Sequence, residues 1–253
     1  MVSIMKQESL TLLDLNMYQD FHLDTVRALI DMRRPDVLCL QEAPEYFALE
    51  LAEKFGYKYH FAPMANVIRT EHSNQFYIGL ILAWKPALPL LGVEVSEYRK
   101  VESGNANWDI SPNYPARLLL TAAFSFGKEI FRIATTHFTW THDGGASEEQ
   151  RRDMNTLLHV LTQYNDEHGI LFCGDFNAPR GGEIYRMMSE RYVDHLPKDV
   201  VTTLDQTLHR AAPLLLAVDS IFSTKEYAVS EFELVEGVSD HMGLFAHVSK
   251  SVC

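Results

Sequence analysis

Apolar and polar positions fall into blocks with a readable period along this chain. Ser9–Leu15 (SLTLLDL) reads as a strand, and Asp24–Arg34 carries Val26, Leu29 and Ile30 at helical spacing. Pro35 stops that helix, and Asp36–Gln41, apolar from Val37 to Leu40, reads as a buried strand. Glu45–Phe55 is helical, with Gly56 just past its end. Tyr57–Phe61 and Phe76–Trp84 are expected as strands, and Arg117–Phe126 and Glu129–Thr136 as a pair turned at Gly127. Ser147 followed by Gln150 has the spacing of a capping box. It opens a helix expected to run to about His168, with Met154, Leu157, Leu158 and Leu161 on one face. Ile170–Cys173, Leu214–Phe222, Tyr227–Leu234 and Gly243–Val248 complete the expected strands. Mixed strands and helices with several hairpins imply sheets packed face to face with helices outside. No repeat, low-complexity tract or linker interrupts the pattern, so residues 1–253 are expected to form one domain.

Polar residues interrupt these strands at their ends. Asn16 follows LTLLDL, Glu42 follows DVLCLQ, and His137 follows FRIATT. Asp175 and Asn177 follow ILFCG, Asp219 lies within LLLAVDSIF, and Asp240 and His241 precede the last strand. Twisted, packed sheets can gather such ends into one cleft. Asn, Glu and Asp offer hard oxygen ligands suited to Mg²⁺ or Mn²⁺. No Cys/His spacing for structural zinc occurs, and HEXXH, GXSXG, a Walker A loop and GXGXXG are all absent. That removes zinc-peptidase, serine-hydrolase and nucleotide-cofactor chemistry from the first rank.

Asn16 in DLN, Glu42 in QEA, His137 in TTHF, Asp175 and Asn177 in GDFN, Asp219 in VDSIF and Ser239–His241 in SDH stand in this order. The set resembles the endonuclease/exonuclease/phosphatase superfamily from about residue 8 to 248. The resemblance implies a four-layered α/β sandwich, two packed mixed β-sheets flanked by helices. It also implies a divalent-metal-dependent phosphoesterase acting by in-line attack of an activated water. Glu42, Asn16 and Asp240 are then expected at a Mg²⁺ (or Mn²⁺) ion. Asp175 is expected as general base, His241, His137 and Asn177 at the phosphoryl oxygens, and Asp219 as the residue that orients His241. Two positions depart from the pattern: Tyr18 stands where certain nucleases carry an acid, and FYIGLILAW lacks the small polar residues common after that glycine. Both bear on the substrate rather than on the core chemistry.

Each residue also has an ordinary structural role to set beside the catalytic one: Asn16 at a turn, Asp175 and Asn177 as helix caps, Asp219 as a buried acceptor, His137 as a core histidine. Asp14 is expected to support the site from behind. Arg117 is expected to touch substrate or to brace a carboxylate. Trp108, Tyr114 and Trp140 are expected to pack near the cleft, and regions 62–76 and 96–114 to form its rim. His142, His159 and His209 are read as ordinary histidines.

Charge changes the picture of the substrate. With 22 Lys and Arg against 34 Asp and Glu the net charge is −12. A phosphoester substrate is compatible with this when a cation supplies local positive charge, but a nucleic-acid partner finds no basic footprint. Cys39 and Cys173 sit in apolar runs, and three cysteines make no disulfide framework. With no apolar run of membrane-spanning length and no signal-peptide pattern at the start, a cytoplasmic location is expected. The competing functional class is a non-catalytic binding module on the same fold.

Overall fold

The computed structural model describes residues 8–69, 74–99 and 116–251. Twelve strands and four α-helices are described. They run β1 (Ser9–Asn16), α1 (Leu23–Arg33), β2 (Val37–Pro44), α2 (Glu45–Phe55), β3 (Lys58–Arg69), β4 (Asn74–Trp84), β5 (Leu90–Arg99) and β6 (Arg117–Phe126). Then follow β7 (Glu129–His137), α3 (Glu148–Leu161), β8 (Leu171–Asp175), α4 (Glu183–Ser189), β9 (Val193–Asp194), β10 (Asp219–Ser223), β11 (Tyr227–Val235) and β12 (Gly243–Lys250).

The strands form two six-stranded sheets, β11-β12-β1-β2-β4-β3 and β5-β6-β7-β8-β10-β9. Each sheet has one parallel pair near its centre, β1–β2 in the first and β7–β8 in the second, and the other pairs are antiparallel. A parallel pair needs a crossover connection, and here α1 and α3 supply it. Three apolar layers hold the stack together. Leu12, Leu80, Leu82, Leu120 and Ile133 pack between the sheets. Leu29, Ile30, Phe47 and Leu51 bury α1 and α2 against the first sheet. Met154, Leu157, Leu161 and Met188 bury α3 and α4 against Phe172 and Phe222 of the second. The result is the four-layered sandwich expected from the sequence, with two mixed sheets inside and helices outside.

Most elements lie where their periodicity puts them, and the exceptions have physical causes. β5 is an edge strand whose residues are largely exposed, so it carries no clear apolar alternation. α4 is only seven residues long, and β9 only two. α3 stops at Leu161 instead of His168, and Thr162–Tyr164 tightens into a 3₁₀ turn in which the Thr162 hydroxyl donates to the His159 carbonyl at 2.6 Å. Half of the capping box forms. The Gln150 amide N–H donates to Ser147 Oγ at 3.0 Å, but the Gln150 side chain donates to the Thr139 carbonyl at 2.7 Å, tying the helix start to the loop after β7. The Leu214–Phe222 run is strand only from Asp219. Among the described residues no helix is long and apolar enough to cross a membrane.

Candidate active site

The two parallel pairs explain why distant polar residues meet. The crossover helices return the chain so that β1, β2, β7 and β8 all end on the same side of the sandwich, and ligand sites in α/β sheets gather outside such carboxyl ends. Asn16 ends β1, His137 ends β7, and Asp175 ends β8. Glu42 lies two residues before the end of β2. Its backbone is at φ 52, within a bulge where the pairing with β4 shifts between Leu40 and Ala43. Such a bulge re-aims a side chain. In the second sheet His137 pairs with Asp175, and Asp175 with Asp219 at the start of β10, so three polar residues stand side by side on adjacent strands. Gly174 makes this possible. Its φ is +142, and a Cβ there would lie 1.9 Å from the Thr136 carbonyl oxygen, so no larger residue fits before Asp175.

The side chains converge on Asp175. Asn16 Nδ2 donates to Asp175 Oδ2 at 3.0 Å and reaches Glu42 Oε1 at 3.4 Å. His137 Nε2 lies 3.5 Å and His241 Nε2 3.8 Å from the same Asp175 oxygen, and His137 Nε2 lies 3.8 Å from Glu42. The other Asp175 oxygen accepts the Asn177 amide N–H at 2.7 Å. Asn177 itself sits at φ 47, a conformation Asn tolerates, and its Nδ2 donates to the Phe138 carbonyl at 3.0 Å. Asp219 grips the other nitrogen of His241, with Nδ1 donating at 2.9 and 3.0 Å to its two oxygens. Thr203 holds Asp219 in turn. Its hydroxyl donates to the carboxylate at 2.6 Å and accepts the Val218 and Asp219 amide N–H groups, each at 3.0 Å.

This cluster sets the two histidines apart. Burial, the Arg117 guanidinium and His241 all push His137 well below the usual imidazole value, so it is neutral at pH 7. Burial disfavours charge on His241 as well, but Asp219, Asp175 and Asp240 outweigh it and raise His241 well above the usual value. Burial holds the Asp175 carboxyl up at about 6, with Asp219 adding to the rise and His241 opposing it. Arg117 is fully buried and donates to the His137 carbonyl at 3.1 Å, so it braces the strand end from behind. Asp14 accepts from Gln41 Nε2 at 2.7 Å, and burial together with the nearby Asp219 raises its carboxyl well above the usual range. Gln41 also donates to Thr135 Oγ1 at 2.8 Å, so the layer beneath the cluster is hydrogen-bonded across both sheets.

Which residues suit a divalent cation follows from donor chemistry. Glu42 and Asp240 are buried carboxylates that line the same cleft. The Asn16 carbonyl oxygen accepts the Tyr18 amide N–H at 3.0 Å, which uses one of its two lone pairs. Two carboxylates and an amide oxygen are hard-oxygen donors of the kind Mg²⁺ or Mn²⁺ takes, ions that retain several waters. Asp175, Asp219 and His241 form a second grouping, each placing one ligand atom within 4.8 Å of the others. That grouping is less suited to an ion, because Asp219 is already bound by His241 and Thr203 and the imidazole carries positive charge.

The cluster floors a cleft of about 710 Å³ lined by Tyr18, Trp140, His142, His209, Arg210, Leu214 and Leu216 among others. His209, read from sequence as ordinary, stands with its ring 6.3 Å from that of His241. Its Nδ1 accepts the Ala211 amide N–H at 3.2 Å, which fixes the ring proton on Nε2. Thr203, His209 and Arg210 were not picked out because VTTLDQTLHRAAP has no periodicity that marks a site. Of the expected rim, residues 70–73 and 100–114 lie outside the described residues, as do Trp108 and Tyr114. Trp140 is half-buried in the cleft wall.

Comparison with known proteins bears on the family and the fold. A family model described as Endonuclease/Exonuclease/phosphatase family matches residues 15–241. No curated protein sequence matches. Among solved structures, the human Nocturnin catalytic domain with bound sulfate is 19% identical with a TM-score of 0.72, covering 97% of this chain and 96% of that one. The mannosyl-6-phosphatase of Bacteroides thetaiotaomicron is 13% identical with a TM-score of 0.71, covering 95% and 99%. D. rerio TDP2 complexed with single-strand DNA product is 16% identical with a TM-score of 0.68, covering 96% and 99%. At these identities the likeness is one of fold.

Proposed function

The chain belongs to the endonuclease/exonuclease/phosphatase family, and from that premise we propose that it is a divalent-metal-dependent phosphoesterase. The observation that carries the reading is the meeting of Asn16, Glu42, His137 and His241 around the Asp175 carboxylate, all within 3.0–3.8 Å of it or of one another. The set joins two carboxylates, an amide and two imidazoles that differ in charge. It suits a reaction in which a proton leaves a water while negative charge builds on phosphoryl oxygens.

In this reading Asp175 accepts the proton of the attacking water. A carboxyl held at about 6 is ionised at pH 7 yet more basic than an ordinary aspartate, which is what a general base needs. The water oxygen bonds to phosphorus as the ester oxygen departs opposite to it. His241, charged and locked by Asp219, donates from Nε2 to a phosphoryl oxygen, and the neutral His137 and the second Nδ2–H of Asn177 add further donors. Glu42 and Asp240, with the second lone pair of Asn16, would hold Mg²⁺ or Mn²⁺. When bound, the ion neutralises phosphoryl oxygens and stabilises the departing one. A phosphodiester or a phosphomonoester, from nucleic acid, lipid or small molecule, fits this chemistry alike.

The test is hydrolysis of bis(p-nitrophenyl) phosphate with Mg²⁺ or Mn²⁺ and then with chelator. Turnover abolished by chelator and restored by the ion supports the reading. Turnover that ignores chelator, or none on a panel of mono- and diesters, points instead to a binding module on this fold.

A further inference from the structure

The floor of the cleft is ionic, but one wall is not. Trp140 and Pro179 come from the loops after β7 and β8, and Leu204, Leu214 and Leu216 from the segment before β10. These loops pack on one another. A Cβ added at Gly144 would lie 3.1 Å from Pro179 Cγ and 3.9 Å from Leu216 Cδ1, so the wall is closed beneath its surface. Trp140, Leu214 and Leu216 are only half-buried, which leaves apolar area facing the cleft beside Asp175 and His241. Alternate residues of the run before β10, Leu214, Leu216 and Val218, line the cleft, while Leu215 is exposed and pairing in the second sheet begins only at Asp219.

Positive charge is scarce around it. Among the described residues lining the cleft, Arg210 is the one Lys or Arg, and its guanidinium lies 5.6 Å over the Tyr18 ring. The sequence outside the described residues adds Lys6 and Lys100 but also Glu71, Glu102 and Asp109. A polynucleotide is gripped by neutralising successive phosphates along a track of cations, and the described cleft lining holds Arg210 alone. The cleft offers one anionic-group site on its floor and one apolar face next to it.

Resting on the phosphoesterase reading, we propose that the substrate is a compact phosphoester carrying a flat ring on the ester side of its phosphate. The phosphoryl group meets His241, His137 and Asn177. The ring packs on Trp140, Pro179, Leu214 and Leu216, where an aromatic side chain gives a stacking surface and the leucines exclude water. Substrates of the same charge without the ring lose that contact.

The preference can be read without turnover. Benzylphosphonate and methylphosphonate have the same charge and no hydrolysable ester. Their binding to the full chain in the presence of Mg²⁺ is measured by calorimetry, together with that of a short single-stranded oligodeoxynucleotide. Benzylphosphonate is expected to bind at least about tenfold tighter than methylphosphonate, the scale of one stacked ring. In Trp140→Ala and in Leu216→Asn the gap is expected to close to within about twofold. Equal affinities in the unmodified protein overturn the proposal, as does a gap that persists in both variants. An oligodeoxynucleotide that binds tighter than benzylphosphonate, with affinity falling steeply with salt, also overturns it. Should one variant fail to fold, the preference of the unmodified chain and the other variant decide. Because phosphonates are not cleaved, this result stands apart from the chelator test, and either can fail alone.

Discussion

Asn16 and Glu42 reach the cluster from the first sheet, while His137, Asp175 and Asp219 reach it from the second, and the two groups are held by different means. On the second-sheet side the contacts are short and interlocked. Thr203 fixes Asp219, Asp219 fixes His241, and the Asn177 amide fixes Asp175, at 2.6–3.0 Å. On the first-sheet side Glu42 is aimed by a backbone bulge at φ 52 and meets Asn16 at 3.4 Å. One half is thus pre-set by hydrogen bonds between protein groups. The other presents the buried Glu42 carboxylate, which in the proposed mechanism faces a hard cation. In the proposed mechanism the interlocked groups around Asp175 and Asp219 would handle the proton, and Glu42 would face the ion, with Asn16 bonded to both carboxylates.

Substitutions break the comparison in order of size. Asp175→Asn removes the base and is expected to lower kcat by about 10²–10⁴-fold while circular dichroism stays native. A loss under about tenfold would take the base assignment away from Asp175. Glu42→Gln attacks the other side. The Mg²⁺ concentration for half-maximal rate should rise at least as much as the roughly 10–100-fold seen on losing an outer metal partner, and added Mn²⁺ should recover part of the rate. If excess ion does nothing, Glu42 is not an ion ligand.

The pH profile sharpens the division further. Asp175 must be ionised to act, so the rate should fall as pH drops through about 6. His241 must be protonated, so the rate should fall again as pH rises past its elevated value. The negative charge of Asp219 raises both groups, so Asp219→Asn should move both limbs of the bell toward acid. A bell that stays in place would mean that Asp219 acts only in packing. Thr203→Val should have the smallest effect, about threefold to tenfold in kcat, equivalent to the loss of one or so kcal/mol of hydrogen bonding that positions Asp219. Thr203→Ser, which keeps the hydroxyl, should restore the rate and the pH profile.

The same contrast explains what could be read from sequence. Asn16, His137 and Asp175 end strands that are apolar for reasons of burial and Glu42 lies near the end of another, so they stand out against their surroundings. The parallel pairs that bring those ends together follow from the alternation of strand and helix. The walls leave no such signature. Leu214 and Leu216 look like strand residues, yet they line the cleft. His209 sits in a polar loop, and its place beside His241 depends on the Leu204–His241 bridge and on hydrogen bonds that tie Thr203 and Asp205 to Gly237, Asp240 and Met242. β5 escaped notice because an exposed edge strand has no buried face to impose a period.

The central claim is that an ion belongs with Glu42 and Asp240 rather than within the grouping of Asp175, Asp219 and His241. Mn²⁺ binding followed by electron paramagnetic resonance on the unmodified chain, Glu42→Gln and Asp219→Asn tests this most directly. The account predicts that Glu42→Gln loses Mn²⁺ affinity by at least about tenfold, whereas Asp219→Asn binds Mn²⁺ as the unmodified chain does. Normal affinity in Glu42→Gln together with lost affinity in Asp219→Asn would contradict it.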